Sequence, residues 1–441
     1  MTTTTSTTTT SSTTTTTATL ELLHPGEAGY DEARTVWNAM IDRYPAVIAR
    51  CHGTADVAAA VHFARARDLE IAVRCGGHNV AGLAVPEGGL MIDLTPMNEV
   101  RVDPERQLAW VQGGAQLGEL DRAAQEYGLA TTAGNVSHTG VGGLTLGGGM
   151  GWLARQFGLA CDNVASYEVV TAAGDIVTAS ATENPELFWG LRGGGGNFGI
   201  VTSFEFRLHR VGTRTLVTEF TYAWEEAFAV LRGWRDLNAT APREATFTAG
   251  ILGQELTVGF VWVGDPHEGG ELVSGFRGLG TVVTESIQEL SYLTLQSRDD
   301  NVQGHRFRRY WKGHYFKSLP DEAIRALLRN PGIDASLQAY GGAIAEVPDD
   351  DAAFSHRDTL FEFVTATRWQ DPADDADRIA TIRAYAASLD PYAGGAYVNT
   401  LNGESVARAF PPAKLARLTA LKNSYDPANV FHLNQNIRPT V

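Results

Sequence analysis

Residues 74–82 read Arg-Cys-Gly-Gly-His-Asn-Val-Ala-Gly and follow a short apolar run at 71–73 that is typical of a β-strand. Glycines allow a backbone to approach a ligand closely and to direct its N–H groups at phosphate oxygens. The histidine adds an imidazole, which can act as a nucleophile. A phosphate-binding loop with a nucleophile fits a cofactor that has both a diphosphate and an electrophilic carbon, such as flavin adenine dinucleotide (FAD). The alternative is a tight turn with a surface histidine, and this stretch alone leaves both open.

Composition and charge restrict the partners that this chain can have. Its 441 residues are enough for two or three domains, and 44% apolar with 20% charged residues is ordinary for a globular protein. The net charge of −16 argues against nonspecific binding to nucleic acid or to anionic membranes. No uninterrupted apolar run approaches the roughly 18 residues of a membrane span. We therefore expect no nucleic-acid partner, no membrane association and a cytoplasmic location.

The N-terminal region is predicted to be disordered, and the cysteines are predicted to form no disulfide bonds. Residues 1–29 begin with a run of threonine and serine that lacks the basic start and apolar core of a secretory signal, and they are predicted to be a disordered tail. The three cysteines, Cys51, Cys75 and Cys161, form no CxxC pattern and are predicted to be free thiols. We predict no metal site.

The pattern of strand-like runs and glycine-rich segments changes near residue 209. Residues 30–208 combine short strand-like runs with two further glycine-rich zones, at 134–158 and 190–199, and are predicted to form an α+β unit. Residues 209–400 contain longer strand-like runs with helical patterns between them, which predicts a mainly antiparallel sheet with helices on one face. Residues 401–441 return to a helix and an extended tail.

Several common enzyme motifs are absent or out of context. Residues 194–199 match the GxGxxG pattern, but a strand-like run follows them where a dinucleotide-binding fold needs a helix. No lysine follows a glycine, so the chain has no Walker A loop. His267-Glu268 is followed by Glu271 at the position where a zinc protease needs its second histidine, and no GxSxG is present.

Four segments in order identify a family resemblance. RCGGHNVAG (74–82), SHTGVGGLTLGGGMGWLARQFGLACDNV (137–164), LFWGLRGGGGNFGIVTSFEF (187–206) and NVFHLNQNI (429–437) resemble the berberine-bridge-type FAD-linked oxidases of the vanillyl-alcohol-oxidase-like, PCMH-type flavoprotein superfamily, in their bacterial form. The resemblance implies an α+β fold with a PCMH-type FAD-binding domain of two α+β subdomains. It also implies a substrate domain with a large antiparallel sheet backed by helices, and a C-terminal segment that returns to the FAD domain.

The resemblance also implies which residues hold the cofactor. His78 corresponds to the histidine that is joined covalently to the flavin 8-methyl carbon, and Val136 replaces the cysteine that makes a second bond in many relatives, so a single link is expected. The residues expected around the diphosphate are Arg74, Gly76, Gly77, Asn79 and Gly82. Those expected along the flavin ring and diphosphate are Thr139, Gly140, Gly142, Gly143 and Leu144. Those expected at the adenine side or the pyrimidine edge are Ile200, Val201, Asn434 and Asn436.

The catalytic base is less well defined than the cofactor site. Relatives often place a Glu or Gln where this chain has Val364, which cannot take a proton, so Glu362 on the same face of the strand is the substitute candidate. Tyr397 is a further candidate if a neighbour lowers its pKa. Tyr310 alternates with Lys312 and His314 on one strand and is expected to supply a polar group to the pocket. Each of these residues has the alternative of an ordinary strand or core position.

The expected activity is an oxidase reaction on a small molecule. The substrate would transfer a hydride to flavin, and O₂ would reoxidise the flavin. The apolar or small residues Val136, Leu144, Val364 and Thr400 favour an aromatic or polyketide-like secondary metabolite over a sugar. The alternatives are a flavin-dependent oxygenase or dehydrogenase on the same fold, and a flavin-binding protein without turnover. The sequence does not define the oligomeric state.

Overall fold

The computed structural model describes residues 20–300 and 304–440. Most of the predicted N-terminal tail, residues 1–19, lies outside this range. Ordered structure begins before the predicted boundary at residue 30, because Glu21–Leu23 forms a strand that pairs antiparallel with Val47–Arg50. The sequence also predicts a helix over residues 31–44, ended by Pro45, and this prediction is wrong, since only Tyr30–Ala33 is helical and the rest is irregular.

The elements are named in chain order. The strands are β1 (Glu21–Leu23), β2 (Val47–Arg50), β3 (Ile71–Arg74), β4 (Leu90–Asp93), β5 (Val100–Asp103), β6 (Leu108–Gln112), β7 (Leu129–Ala130), β8 (Val164–Val170), β9 (Ile176–Ser180), β10 (Ile200–Arg207), β11 (His209–Arg210), β12 (Arg214–Tyr222), β13 (Ala245–Leu252), β14 (Glu255–Val263), β15 (Val282–Ser291), β16 (Arg308–Phe316), β17 (Ala335–Ala339) and β18 (Phe361–Trp369). The helices are α1 (Tyr30–Ala33), α2 (Thr54–Arg65), α3 (Leu117–Gln125), α4 (Val141–Leu146), α5 (Ala154–Phe157), α6 (Pro185–Leu191), α7 (Ala227–Asn238), α8 (Pro266–Gly270), α9 (Val273–Arg277), α10 (Tyr292–Gln296), α11 (Asp321–Leu327), α12 (Ala343–Glu346), α13 (Asp375–Ala387) and α14 (Pro412–Tyr425).

The first sheet places the glycine–histidine loop at the carboxyl end of a parallel strand. Its order is β1-β2-β4-β3, and β2 and β3 both run parallel to β4. Helix α2 makes the crossover from β2 to β3 and buries an apolar stripe with helical spacing, formed by Val57, Ala60, Val61 and Ala64. Loops at the carboxyl ends of parallel strands are where α/β sheets bind their ligands.

The second sheet is antiparallel and brings the other two glycine-rich zones beside the first sheet. Its order is β5-β6-β10-β8-β9. The strand-like run predicted after residues 194–199 is confirmed as β10, and its Phe204 and Phe206 are buried in the core of this unit. The zone at 134–158 precedes β8, and the zone at 190–199 leads directly into β10.

The third sheet has seven antiparallel strands in the order β15-β12-β14-β13-β17-β18-β16. One face is covered by helices, since Phe361 of β18 packs against Trp234 of α7 and Phe363 packs against Tyr385 of α13. The opposite face contacts the first two units, where Val217 and Val261 pack against Leu153. The structure therefore confirms an α+β fold with a large antiparallel sheet backed by helices.

The C-terminal segment joins helix α14 to the glycine zone at 190–199 through a buried cation. The Lys422 ammonium donates hydrogen bonds to the Asn197 carbonyl and the Phe431 carbonyl, both at 2.9 Å, and to Asp426 at 2.7 Å. Both side chains of the Lys422–Asp426 pair are fully buried. The Asn197 side chain in turn accepts from the Ile437 amide at 2.9 Å. Among the residues described by the structure, no helix has the length and apolarity needed to cross a membrane.

Replacing Asp426 by asparagine is expected to lower the free energy of unfolding by about 3 to 5 kcal/mol, because it leaves the buried Lys422 charge without its counter-ion. The matched control is Asp374→Asn at the residue before α13, where the Arg378–Asp374 pair has the same i,i+4 spacing but is half exposed. That change is expected to cost about 0.5 kcal/mol or less. Denaturant unfolding of the two variants measures both free energies. Equal losses would contradict the conclusion that the Lys422 charge depends on Asp426 as its buried counter-ion.

Candidate active site

Two glycine loops meet backbone to backbone at the centre of the site. Gly76, in the loop after β3, lies directly against Gly140, the residue before α4, and a methyl group on either glycine would overlap the backbone of the other. The Cys75 thiol lies under the same contact, against Gly140 and Gly142. Side chains at these positions would force the two loops apart, so the sequence can bring them together only with glycine.

His78 lies two residues after this contact, in an aromatic environment. Its ring stacks on Trp37, with the ring centroids 4.6 Å apart and the planes at 16°. Its Nε2 atom is 2.6 Å from Nδ1 of His138, and its Nδ1 atom faces the Thr139 hydroxyl at 3.5 Å. Gly77, Asn79 and Gly82, the other residues predicted in this loop, lie in the turn that follows β3.

The surroundings of His78 disfavour a positive charge. Burial lowers the pKa of His78 to about 3, and nearby His138, Arg309 and His305 act in the same direction. The imidazole is therefore neutral at physiological pH and keeps a nitrogen lone pair. A lone pair is what a histidine needs to act as a nucleophile.

The third sheet supports the histidine loop from one side. The Asn38 amide donates to the Val80 carbonyl at 2.7 Å and to the Arg309 carbonyl of β16 at 3.1 Å, and it accepts from the Arg309 amide at 2.9 Å. The Arg309 guanidinium lies 3.8 Å from the centre of the Trp37 ring and donates to the Trp37 carbonyl. The stack on His78 is thus anchored to a strand of the large sheet.

The start of α4 provides the second side of the cofactor site. Gly143 is exposed, and a methyl group there would meet no protein atom within 4 Å. The Leu144 side chain fills the space between Gly134 and Gly149, so it packs into the protein. The Asn399 amide donates to the carbonyls of Gly143 and Leu144, both at 3.3 Å.

The remaining cofactor candidates lie at the far end of these loops. Ile200 and Val201 begin β10 and are buried. Asn434 and Asn436, in the C-terminal tail, each have a buried side-chain oxygen that accepts no hydrogen bond from the described residues. Arg74 forms an ion pair with Asp93 at 3.6 Å, and its buried Nε also has no partner in the described part of the chain.

These features fit FAD. Two backbone segments approach as closely as glycine permits, Gly143 faces open space, and buried polar atoms of Asn434, Asn436 and Arg74 lack partners within the described chain. Backbone N–H groups at glycine-rich turns and a helix start are the usual ligands of a diphosphate. The loops would hold the diphosphate, with His78 beside the flavin ring.

Glu362 faces the cofactor loops from the third sheet. It is 8% exposed, and its Oε2 accepts a hydrogen bond from the Tyr340 hydroxyl at 2.8 Å. Burial raises the pKa of Glu362 to about 7, and the Tyr340 hydrogen bond partly opposes this shift. Next to Glu362 in the sheet is Gln338, which accepts from Asn135 of the 134–158 glycine zone at 3.2 Å. The carboxyl group therefore lies between the sheet and the cofactor loops, with a pKa suited to exchange a proton near neutral pH.

Tyr397 has the opposite character. Its hydroxyl oxygen accepts from the Gly149 amide and from Asn399, both at 2.9 Å. Burial raises the pKa of Tyr397 well above its usual value, and the charge of Glu362 adds to this effect. The condition set for Tyr397 as a base, a lowered pKa, is not met, and its contacts instead hold the 143–149 turn in place.

Tyr310 lies on the wrong face of the sheet for the predicted pocket role. Its hydroxyl accepts from Arg383 of α13 at 2.8 Å, and its ring packs with Trp369 and Ile382. On the same helix-covered face, His314 contacts the Ala386 carbonyl at 2.8 Å. Lys312, also on this face, pairs with Glu404. The period of two was correct, but the alternate residues of β16 face the cofactor loops.

An apolar patch lies on the cofactor-facing side of the sheet, next to Glu362. Val364 and Ala366 follow Glu362 on that face, and Ala366 pairs with Trp311 of β16. All three are partly exposed, and the Trp311 ring centroid is 5.8 Å from that of Trp37. The patch, Trp311 with Val364 and Ala366, therefore joins the histidine loop to the carboxyl group along one continuous surface.

Comparisons with known proteins agree with this architecture. Residues 45–180 match a family model described as FAD binding domain, and residues 396–438 match one described as berberine and berberine like. An FAD-linked oxidoreductase of Bacillus subtilis is 31% identical, over 96% of this chain and 98% of its own length. The (R)-6-hydroxynicotine oxidase of Paenarthrobacter nicotinovorans is also 31% identical, over 95% of this chain and 96% of its own length.

A solved structure extends the comparison to three dimensions. Glucooligosaccharide oxidase from Acremonium strictum, described with a 6-S-cysteinyl, 8α-N1-histidyl FAD, superimposes with a TM-score of 0.87 at 26% identity, covering 96% of this chain and 98% of that one. The chain belongs to the berberine-bridge-enzyme-like family of FAD-linked oxidoreductases, and it is an enzyme of that class.

Several residues of the site were not found from the sequence. Trp37 and Asn38 fell within a segment predicted to be helical, and Arg309 carries no motif of its own. His138 stood inside a quoted motif, directly before Thr139, so the signal for it was present. Gln338 and Tyr340 reach Glu362 only through the register of β17 beside β18.

Gly76→Ala is expected to lower the free energy of unfolding of the apoprotein by about 1 to 3 kcal/mol and to abolish FAD binding, because the methyl group overlaps Gly140. Gly143→Ala meets no protein atom, so it is expected to leave the apoprotein as stable as before while weakening FAD binding. Denaturant unfolding and FAD titration measure the two effects. Normal FAD binding by Gly76→Ala would contradict the conclusion that the Gly76 and Gly140 loops hold the cofactor.

Proposed function

We propose that this enzyme is an oxidase that takes a hydride from a small organic molecule with an aromatic or extended apolar part, uses O₂ as acceptor, and holds its FAD through a single covalent bond to His78. The observation that carries the proposal is the shared surface formed by the neutral His78 loop, the apolar patch and the buried Glu362. FAD would supply the two-electron acceptor at this surface. The residues around it have to position the substrate, exclude water and take up a proton.

The covalent bond is supported by the state of His78. The ring is neutral and fixed by its stack on Trp37, and in the described part of the chain its Nδ1 has the Thr139 hydroxyl, at a long 3.5 Å, as hydrogen-bonding partner. Val136 stands where a second, cysteinyl bond would originate. Cys75, the thiol under the Gly140 contact, is turned toward the Ala115 carbonyl, and burial raises its pKa to about 11. A single histidyl bond is therefore the arrangement that these residues support.

Glu362 is the group that can act as base. A carboxyl group with a pKa of about 7 is ionised in a large part of the molecules at physiological pH and still binds a proton well. The Tyr340 hydrogen bond at 2.8 Å holds Oε2, and Oε1 accepts no hydrogen bond from the described residues. Glu362 would take the proton of a substrate hydroxyl or amine through Oε1 as the hydride leaves the adjacent carbon.

The apolar patch supports the substrate class. Trp311 offers a flat apolar ring, and Val364 and Ala366 offer no hydrogen-bonding group to a sugar hydroxyl. The relatives include both a nicotine oxidase and oligosaccharide oxidases, so the family itself does not decide between these classes. A surface of this kind buries an aromatic ring better than a sugar.

A dehydrogenase or an oxygenase could use the same residues and would differ in how the reduced flavin is reoxidised. Reaction of the substrate-reduced enzyme with O₂ separates them. An oxidase is reoxidised rapidly and releases hydrogen peroxide, a dehydrogenase reacts slowly, and an oxygenase transfers an oxygen atom to the product.

His78→Ala is expected to bind FAD without retaining it on denaturation, because the imidazole that would form the bond is removed. On a denaturing gel under ultraviolet light, the wild-type band is expected to fluoresce and the His78→Ala band is not. Val136→Ala is the control and is expected to fluoresce like the wild type. A wild-type band that never fluoresces, in protein that carries FAD, would contradict the covalent bond.

Glu362→Gln is expected to slow flavin reduction by the substrate about 10²- to 10⁴-fold, the usual contribution of a positioned general base. Because the ionised carboxylate is the active form, the wild-type rate is expected to rise with pH through about 7 and then level off, and the variant is expected to lose this rise. Anaerobic stopped-flow absorbance at different pH values measures both. Glu285→Gln is the control, since Glu285 lies on an edge strand and is paired with Arg277. A variant with the wild-type pH profile would exclude Glu362 as the base.

A further inference from the structure

The contact between His78 and His138 suggests a role that the oxidation reaction does not need. Their facing nitrogens, Nε2 of His78 and Nδ1 of His138, are 2.6 Å apart, and the ring centroids are 4.6 Å apart with the planes tilted by 41°. At that distance one nitrogen donates a proton and the other accepts it, so the pair has two tautomeric arrangements. His138 has no contact with Glu362, the base proposed for substrate oxidation.

Only one arrangement leaves His78 able to react. If His138 were the donor, the single proton of neutral His78 would be on Nδ1, and neither ring nitrogen would present a free lone pair. If His78 donates from Nε2, the lone pair is on Nδ1, whose hydrogen-bonding partner among the described residues is the Thr139 hydroxyl at a long 3.5 Å. The reactive tautomer therefore has His138 as the acceptor.

We propose that His138 accepts the Nε2 proton of His78 while the bond between His78 Nδ1 and FAD forms; the inference rests on the covalent bond proposed above. His138 acts through His78 and has no need to touch the cofactor. It is a positioning residue that also takes up a proton.

The reason lies in the charge that bond formation creates. When Nδ1 of a neutral imidazole forms a bond to carbon, the ring becomes a cation unless Nε2 loses its proton. Burial around His78 disfavours such a cation, and Arg309 and His305 add to this effect. His138 Nδ1 is the acceptor that the structure places on that proton.

The surroundings of His138 are better suited to a temporary charge. His138 is less buried than His78, and although burial lowers its pKa too, the carboxylate of Asp300 opposes that shift. Asp300 is held close by Ser137, the residue before His138, which donates to it from its amide at 2.8 Å and from its hydroxyl at 2.5 Å. His305 and Arg309 also face His138 and repel a proton there, so the acceptance is transient.

Formation of the covalent bond breaks two bonds to hydrogen and makes one bond between nitrogen and carbon. One C–H bond of the flavin 8-methyl group and the Nε2–H bond of His78 break, and one N–C bond forms. The electron pair of the C–H bond stays on the flavin, which is thereby reduced by two electrons. His138 passes the Nε2 proton on to solvent, the methyl proton is also released, and dioxygen then takes up two electrons and two protons as hydrogen peroxide.

The test follows covalent incorporation in time. Apoprotein is mixed with FAD in air, samples are denatured at intervals, and the flavin fluorescence of the protein band and the intact mass are recorded. His138→Asn keeps a hydrogen-bond acceptor near the position of Nδ1 but cannot take up a proton. It is expected to bind FAD noncovalently like the wild type and to form the bond about 100-fold more slowly. His138→Ala is expected to be equally slow and to be accelerated by added imidazole.

Control and contrary outcomes separate this inference from the proposed function. His267→Gln removes an exposed histidine of α8, outside this cluster, and it is expected to form the bond at the wild-type rate. Wild-type rates in His138→Asn and His138→Ala would overturn the role of His138 and leave the covalent bond standing. Wild-type protein that binds FAD and never forms the bond would overturn both.

Discussion

The backbone contact between Gly76 and Gly140 is the constraint on which the site depends. It joins a loop at the carboxyl end of a parallel sheet to the first turn of α4 in a second unit, with no room for a side chain on either residue. His78 follows one glycine by two residues and Thr139 precedes the other, so the contact also sets His78 beside His138. Gly143 then opens the surface again toward the cofactor. One close approach therefore fixes the candidate cofactor loops and the position of His78 together.

Burial shifts the pKa values of the titratable groups at both ends of the site. At His78 it disfavours the cation and keeps a lone pair available, while at Glu362 it disfavours the anion and raises the proton affinity of the carboxylate. The same low-dielectric space between the sheets thus keeps the His78 imidazole neutral and gives the Glu362 carboxyl group a pKa near neutral. At Glu362 the hydrogen bond from Tyr340 partly opposes the effect of burial, whereas at His78 the neighbouring His138 reinforces it.

The sequence was informative where the signal is local and incomplete where contacts are distant. Clustered glycines around a histidine predicted the cofactor loops, and strand-like runs predicted a mainly antiparallel sheet within residues 209–400, although β15 was not among them. Which face each strand presents depends on pairing: Tyr315 pairs with Glu362, so Tyr310 belongs to the opposite face. Trp37 was placed in a helix because the fold of its segment is set by Asn38, whose partners Val80 and Arg309 are 42 and 271 residues away. Contacts of that range leave no pattern in a single sequence.

Strand β16 supports the histidine loop and also carries part of the apolar patch, so the candidate cofactor site and the proposed substrate surface share one strand. Arg309 holds Trp37, which stacks on His78, and two residues further along the same face of β16 is Trp311 of the apolar patch. A substrate ring on Trp311 would therefore contact the strand that supports the histidine loop. Evolution of a new substrate specificity at this patch is constrained by the need to keep Arg309 in place, whereas Val364 and Ala366, on the neighbouring strand, are free of that requirement. Substrate diversity among relatives that share the cofactor loops is expected to concentrate on β18.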